Sequence, residues 1–410
     1  MTYTLLIKNC GQILTMKGMA PRKGRAMSDL GIIEKGFVAC EGDTIAEVGK
    51  MKNLKRSKIN KKTKIIDAKG KVVMPGLIDC HTHLVFAGSR AHEFKLKMEG
   101  KSYLDILAAG GGILSTVKAT REASKKKLVD LGLKRLDEML AYGITTVEAK
   151  SGYGLDMENE IKILDVCQEL SAKHKVNVVP TFLGAHTVPP EYKGKSNKYL
   201  RFLMDEVLPA AKEKAEFVDI FCEKGAFTLR QSKKYLRYAK TLGFKIKIHA
   251  EQINNLGGCK LATKLEAVSC DHCDHIKMGG IKRLAKSNTV GVLLPIVPLY
   301  TREKVYADGR KMIDAGCAIA VSTDFNPGSA PSKNIFLAMS LACLKMNMTP
   351  EEVLTAATIN AACALDLQKT VGSLKKGKRA DIVIMDTEDY QEIPYWLGEN
   401  LVNKVIIGGV

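Results

Sequence analysis

The stretch VMPGLIDCHTH, residues 73–83, joins a short apolar run to two histidines that lie two positions apart. Side chains alternate between the two faces of a strand, so a strand ending here would point His81 and His83 in the same direction. Two imidazoles at this spacing can bind one metal ion together. The pair alone is a modest signal, because two polar residues at a strand end would give the same pattern.

The run at 76–79 is the first of eight apolar runs in the middle of the chain. The others are at 144–148, 176–182, 217–222, 244–249, 267–270, 289–294 and 318–322. Amphipathic stretches between them predict helices at 126–142, 158–173, 199–214, 229–242 and 302–315, the fourth capped by Thr228. Strand–helix alternation is typical of parallel βα units, and eight units over about 270 residues predict a (β/α)8, TIM-like barrel.

The two flanks of this region show short strand patterns instead. Strands are predicted at 5–7, 13–14, 37–40, 45–48 and 65–66, and again at 380–386 and 402–407 after a helix at 350–367. The sequence therefore predicts an α/β protein with a catalytic barrel at 74–367. A small β-sandwich domain would be assembled from both chain ends, residues 1–73 and 368–410.

The composition limits the classes of protein that fit. A hydrophobic share of 46% and a charged share of 26% are ordinary for a globular protein and exclude a collagen-like or disordered chain. The net charge of +19 comes from scattered lysines without a nucleic-acid-binding motif, so we expect a solvated surface and no nucleic acid partner.

The cysteines and the chain start bear on the cellular compartment. Eleven cysteines without regular spacing indicate reduced intracellular thiols. The first 16 residues lack the features of a signal peptide, and the longest apolar run, 290–299, is too short to span a membrane. We expect a soluble cytoplasmic protein without a membrane partner.

Three later strand ends also carry residues suited to metal binding or hydrolysis. His249 ends the fifth run, His272 follows the sixth, and Asp324 follows the eighth. In a barrel of parallel strands these ends meet at one rim, where active sites are built. Together with His81 and His83, they offer imidazoles and a carboxylate that suit Zn²⁺ or Fe²⁺, and such an ion can activate water for hydrolysis.

Three other features of the sequence are not assigned a role in catalysis. Cys270 and Cys273 form a CxxC, but the lack of a second CxxC favours incidental cysteines over a zinc or redox motif. The glycines at 110–112 lack the lysine of a phosphate loop, which favours a turn or a loop over the substrate. Lys150 is interpreted as part of a substrate loop, with a carbamylated lysine bridging two metals as the alternative.

Several motifs resemble those of known hydrolases. Residues 73–83 are similar to the opening strand of the metal-dependent amidohydrolase superfamily, and GSLKKGKRADI, residues 372–382, resembles its C-terminal β-domain signature. Segments 86–94, 110–121, 148–154, 183–192 and 323–329 resemble the imidazolonepropionase family in particular. The resemblance covers nearly the whole chain.

The resemblance implies roles for individual residues. The implied metal ligands are His81, His83, His249 and Asp324. His272 would lie beside the attacking water, with Asp324 accepting the water proton. The implied substrate-binding residues are Arg90, Tyr153, His186, Asn326, Gly328 and Ser329. Arg90 would bind a carboxylate tail, because a planar guanidinium can make two parallel bonds to it.

One position departs from the family's pattern. Many members have His-Ala-Asp-Glu after the fifth strand, whereas this chain has His249-Ala250-Glu251-Gln252. An amide cannot act as a general base, so we expect Gln252 to hydrogen-bond the substrate ring. Glu251 is a secondary candidate for proton transfer.

The activity implied by the resemblance is hydrolysis of the cyclic amide of 4-imidazolone-5-propanoate to N-formimidoyl-L-glutamate in histidine degradation. A homodimer with one divalent ion, Zn²⁺ or Fe²⁺, is implied as well. Another cyclic amidohydrolase, or an aminopyrimidine or guanine deaminase, is the alternative enzyme. A barrel that binds no metal and a nucleic-acid-binding protein are the alternatives from other classes.

Overall fold

The computed structural model describes residues 2–18, 20–101 and 111–410, so Gly110 of the predicted glycine turn lies outside the described residues. The strands are β1 (Leu5–Leu14), β2 (Ile32–Glu41), β3 (Thr44–Lys50), β4 (Lys64–Asp67), β5 (Val73–Pro75), β6 (Leu77–Asp79), β7 (Ile144–Lys150), β8 (Asn177–Ala185), β9 (Phe217–Cys222), β10 (Lys245–Ala250), β11 (Ser269–His272), β12 (Val290–Leu293), β13 (Ile319–Val321), β14 (Ile382–Met385) and β15 (Val402–Ile406).

The α-helices of the described ranges surround and connect these strands. They are α1 (Ala91–Met98), α2 (Ile113–Glu122), α3 (Lys125–Ala141), α4 (Met157–Lys173), α5 (Ser196–Phe202), α6 (Leu208–Ala211), α7 (Leu229–Thr241), α8 (Gly258–Lys264), α9 (Met278–Ala285), α10 (Ile296–Thr301), α11 (Gly309–Asp314), α12 (Ile335–Met346), α13 (Pro350–Ala356), α14 (Ile359–Ala364) and α15 (Glu392–Tyr395). None of them is long and apolar enough to cross a membrane.

Strands β6 to β13 form a parallel eight-stranded sheet in chain order, which confirms the predicted TIM-like barrel. The ends of the first and last strands meet, because the Asp324 N–H donates to the His81 carbonyl at 3.1 Å and the His83 N–H donates to the Phe325 carbonyl at 2.9 Å. Apolar side chains of the strands and the surrounding helices form the main core. Each of the eight predicted runs overlaps one barrel strand.

The other seven strands of the described chain form a mixed sheet from both chain ends, in the order β15–β14–β5–β1–β2–β3, with β4 beside β1. This sheet is consistent with the small β domain predicted from both chain ends. Strand β5 pairs with both β1 and β14, and Gly76 alone separates it from β6. A Cβ at Gly76 would lie 2.2 Å from Oγ1 of Thr145, so the chain passes here only with glycine. The predicted boundary between residues 73 and 74 falls inside β5. The division into 1–73, 74–367 and 368–410 therefore stays a prediction.

Two predicted helices are wrong in extent. The predicted helix at 302–315 is shorter in the structure, where α11 begins after Asp308, whose side chain accepts the Lys311 N–H. The preceding helix, α10, ends before Arg302, which adopts a left-handed φ of 63°. In place of one helix at 350–367, α13 and α14 are separated at Thr358, whose φ of −128° and ψ of −95° are not helical. Local backbone geometry therefore overrides a continuous amphipathic pattern.

Two other helix predictions depend on single residues. Thr228 caps α7 as predicted, since its side chain accepts the Gln231 N–H and the Gln231 side chain accepts the Thr228 N–H. The predicted helix at 199–214 is interrupted by a π-turn, Leu203–Val207, before Pro209. Proline has no N–H to donate to the preceding turn, which explains the break.

Candidate active site

The four predicted metal ligands converge at the carboxyl ends of the barrel strands. His81 and His83 follow β6, His249 lies in β10, and Asp324 follows β13. Nε2 of His81 and Nε2 of His83 each lie 3.4 Å from Oδ1 of Asp324. The ring centroids of His81 and His249 are 4.5 Å apart, and all four residues are at most 3% exposed.

Several buried ligand atoms of this cluster have no hydrogen-bond partner in the described structure and are available to bind a divalent cation. Nε2 of His81, Nε2 of His249 and Oδ1 of Asp324 are buried without a hydrogen-bond partner in the described structure. Such atoms are costly unless another group binds them. Two ligand atoms about 2.1 Å from a tetrahedral ion are about 3.4 Å apart, which matches the separation of Asp324 from the two imidazoles. His81, His83 and Asp324 therefore fit a metal ion, and His249 lies beside them.

Two carboxylates that the sequence analysis did not select lie against two of the predicted ligand histidines. Oδ2 of Asp271 lies 2.6 Å from Nδ1 of His81, and Oδ2 of Asp219 lies 2.8 Å from Nδ1 of His249. A carboxylate at Nδ1 keeps the ring proton there and leaves Nε2 to bind a metal. The available signal was an aspartate inside an apolar strand, since Asp219 lies in β9 and Asp271 in β11.

A buried ion-pair network continues from these carboxylates. Nζ of Lys150 lies 2.8 Å from Asp219, 3.0 Å from Glu148 and 3.5 Å from Asp271, and Nζ of Lys247 lies 2.7 Å from Glu148. All five residues are fully buried. Burial would lower the pKa of Lys150, but the three carboxylates raise it above its usual value. Lys150 is therefore a buried cation inside β7 and not part of a substrate loop, contrary to the sequence prediction.

The site combines an ionised carboxylate with a neutral imidazole. Burial would raise the pKa of Asp324, but contacts with His81 and His83 hold it well below its usual value. The ring centroid of His272 lies 5.2 Å from that of His249, and burial lowers the pKa of His272 well below its usual value. Asp324 and His272 can both accept a proton or a hydrogen bond in these states.

Two predicted substrate-binding residues form an aromatic wall beside His83. The ring of His186 stacks on His83 with centroids 5.0 Å apart, and its Nδ1 lies 3.2 Å from the Gly152 carbonyl oxygen. The ring of Tyr153 lies 5.6 Å from His83 and the residue is 3% exposed. A planar substrate ring would find flat surfaces and polar atoms on this side of the metal ligands.

The guanidinium of Arg90 is fixed by a carboxylate. Its Nε and Nη2 donate to Glu93 at 2.9 and 2.7 Å. This side-on pairing still leaves the end of the guanidinium, with N–H groups on Nη1 and Nη2, for a second carboxylate. A Cβ at Gly328 would lie 2.0 Å from Nη1, so only glycine fits beside Arg90.

The loop after β13 connects Arg90 to the metal ligands. Nδ2 of Asn326 donates to the Asp324 carbonyl at 2.7 Å, and its Oδ1 accepts the N–H groups of Gly328 and Ser329, each at 2.8 Å. Asn326 thereby holds the loop in one conformation. The predicted residues Asn326, Gly328 and Ser329 are thus brought together between the metal ligands and Arg90.

Comparison with known proteins places the chain in a family. The sequence profile of the amidohydrolase family matches residues 72–410. The imidazolonepropionase of Alkaliphilus metalliredigens (strain QYMF) is 48% identical over 412 residues, covering 100% of this chain and 98% of the relative. The imidazolonepropionase of Bacillus cytotoxicus is 50% identical over 404 residues, covering 98% of this chain and 95% of the relative. The chain belongs to the imidazolonepropionases of the amidohydrolase family.

Solved structures share the amidohydrolase fold at low sequence identity. An adenosine deaminase from Xanthomonas campestris with bound zinc superposes with a TM-score of 0.71 at 17% identity, covering 100% of this chain and 92% of that chain. A Xaa-Pro dipeptidase superposes with a TM-score of 0.70 at 16% identity, covering 99% of this chain and 98% of that chain. Amidohydrolases are metal-dependent, and the buried His and Asp ligands described above fit that requirement.

At the variant position after β10, the side chain of Glu251 contacts the start of α8. Oε1 of Glu251 accepts the N–H groups of Gly257 at 3.1 Å and Cys259 at 3.4 Å, at the start of α8. Gln252 is half-buried after β10. The roles of Glu251 in proton transfer and of Gln252 in ring binding stay predictions.

Proposed function

We propose that this chain hydrolyses the cyclic amide of 4-imidazolone-5-propanoate to N-formimidoyl-L-glutamate, a step in the breakdown of histidine. The observation that carries the proposal is the convergence of His81, His83, His249 and Asp324 at one barrel rim. Full-length relatives at 48% and 50% identity are imidazolonepropionases, which supports this substrate.

We propose one divalent ion, Zn²⁺ or Fe²⁺, at these four residues. Imidazole nitrogen and carboxylate oxygen ligands suit either metal. When bound, such an ion supplies an acidified water near neutral pH and polarises a carbonyl group.

Asp324 and His272 would handle the proton of the attacking water. Asp324 is ionised, so it can accept that proton and later pass it to the leaving ring nitrogen. His272 is neutral and can orient the water by accepting a hydrogen bond. Glu251 is only a secondary candidate for proton transfer in this scheme, because its carboxylate already accepts backbone N–H groups at the start of α8.

The remaining predicted residues would hold the substrate. The end of the Arg90 guanidinium would bind the propionate, since its side is already paired with Glu93. Tyr153 and His186 would contact the ring from the aromatic wall, and Gln252 could hydrogen-bond a ring nitrogen. The loop of Asn326, Gly328 and Ser329 would close the side between Arg90 and the metal ligands.

The test is to incubate purified protein and zinc with freshly prepared 4-imidazolone-5-propanoate and follow the loss of the ring chromophore. We expect loss with the wild type and with the control Asp205→Asn, whose residue is exposed in the π-turn Leu203–Val207. We expect none with Asp324→Asn. No loss by the metal-loaded wild type, or ammonia release from guanine instead, would refute the proposal.

We also propose a cytoplasmic homodimer. All eleven cysteines are free in the structure, as is usual in a reducing compartment. The dimer rests on the family resemblance, and light scattering of the purified protein tests it directly. A monomer mass at micromolar concentration would refute it.

A further inference from the structure

Three cysteine thiols meet outside the cluster of metal-binding histidines. Cys259 lies in α8, Cys270 in β11, and Cys273 in the turn after β11. Their Sγ atoms are 2.9 Å apart for Cys259 and Cys270, 3.5 Å for Cys259 and Cys273, and 3.8 Å for Cys270 and Cys273. All three residues are fully buried. The CxxC motif therefore gains a third thiol from a different element.

The thiols lie on the opposite side of the barrel wall from the active site. Asp271 directs its carboxylate to His81 in the barrel interior. Neighbouring residues of a strand face opposite sides, so Cys270 points outward, where Cys259 of α8 meets it. The cluster is thus a separate site that shares one strand with the active site.

A buried carboxylate lies beside Cys259. Glu251 accepts the Cys259 N–H through Oε1, while its Oε2 is buried without a hydrogen-bond partner among the described residues. Glu251 is 1% exposed. A buried carboxylate oxygen with no partner is costly and indicates that another group belongs beside it.

The donor set suits one metal. Thiolates are soft ligands that select zinc, and a zinc ion bound by four ligands at about 2.3 Å places its sulfur atoms about 3.8 Å apart. Two of the three Sγ separations, 3.5 and 3.8 Å, are close to this value. We propose that Cys259, Cys270 and Cys273 form a structural Zn²⁺ site.

Binding at this site needs no oxidant. Each thiol that ligates Zn²⁺ loses its proton to solvent, and no sulfur changes its oxidation state. The ion would tie α8 to β11 and to the turn that follows it. Because His272 lies between Cys270 and Cys273, the zinc would fix the backbone that presents His272 to the active site.

The test uses the full chain, expressed with added zinc and purified with a reductant and without chelators. X-ray absorption at the zinc edge should show sulfur neighbours at about 2.3 Å. Metal analysis should find one zinc equivalent fewer in Cys259→Ser than in the wild type. The matched control is Cys167→Ser, which removes another fully buried thiol, in α4, and should keep the wild-type zinc content.

The sulfur signal separates this site from the active site, which offers only nitrogen and oxygen ligands. It would be present even if the enzyme failed to hydrolyse the proposed substrate. If Cys259→Ser does not fold, the wild-type absorption spectrum alone decides. A spectrum with only nitrogen and oxygen neighbours, equal zinc in Cys259→Ser and wild type, or a disulfide among the three cysteines under reducing purification would overturn the proposal.

Discussion

Arg90 shows how one side chain can serve two carboxylates. Glu93 occupies the Nε and Nη2 side of the guanidinium, and Gly328 leaves room at Nη1. A lysine ammonium is a point charge and cannot bind two carboxylates along two separate edges as a guanidinium does. We therefore expect Arg90→Lys to weaken substrate binding by about 1.5–3 kcal/mol. KM should rise by roughly 10- to 150-fold with little change in kcat, measured by steady-state kinetics. The same exchange at Arg310, a residue of α11 that is paired with Asp314 and Glu352, should leave both unchanged. An unchanged KM for Arg90→Lys would contradict the assignment.

Asp219 allows a prediction about metal affinity. Its carboxylate lies 2.8 Å from Nδ1 of His249, so Asp219→Asn should disturb the orientation of that ligand. Loss of such a partner typically lowers metal affinity by about 10- to 100-fold. Competition with a chromogenic chelator measures the change, with exposed Asp205→Asn as the control. Equal affinity in the two variants would show that His249 is held by other contacts.

Backbone strain at the rim could not be predicted from residue patterns. Glu251, His272, Cys273 and Asp324 have positive φ values of 60°, 78°, 65° and 52°. Non-glycine residues adopt this region at a cost of about 1–3 kcal/mol. The sequence shows which residue types lie at the strand ends, but the turn that directs each side chain is set by contacts with distant parts of the chain.

Among the elements, β7 contributes the cation on which the buried network depends. Lys150→Met would leave Glu148, Asp219 and Asp271 without their shared partner, although Lys247 still pairs with Glu148. Removing one member of a buried ion pair costs about 3–5 kcal/mol. We expect the free energy of unfolding in urea to fall by this amount. Lys126→Met in α3, where the side chain is 89% exposed, should change it by less than about 0.5 kcal/mol. A similar result for both variants would mean that the network is not needed for stability.

The barrel strands were predictable because their apolar runs are short and regular, whereas the charged network inside them was not. Asp219, Lys247 and Glu148 interrupt apolar strands, and each looks unfavourable when considered alone. Their partners come from different strands, and only the closed barrel brings them within hydrogen-bonding distance. The same reason explains why Asp219 and Asp271 were missed, whereas the four residues predicted as metal ligands could be selected from the strand ends.

At the scale of the whole molecule, metal binding should contribute to folding stability. Ligands that bind only the folded state stabilise it by about 2.7 kcal/mol at 100 times Kd. Dialysis against a strong chelator should therefore lower the thermal unfolding midpoint and abolish activity, and added Zn²⁺ should restore both. Added Mg²⁺ is the control, since it prefers oxygen ligands. Full activity after complete metal removal would contradict the proposed chemistry.

The join between β5 and β6 also has a consequence for how each molecule is made. Strand β5 supports the strand that precedes His81 and His83, and it pairs with β14 from the far end of the sequence. The ribosome synthesises about 5–20 residues per second, so the emerging polypeptide waits many seconds before β14 exists. We therefore expect metal binding at His81 and His83 to be completed late in biosynthesis, after the last strands have left the ribosome.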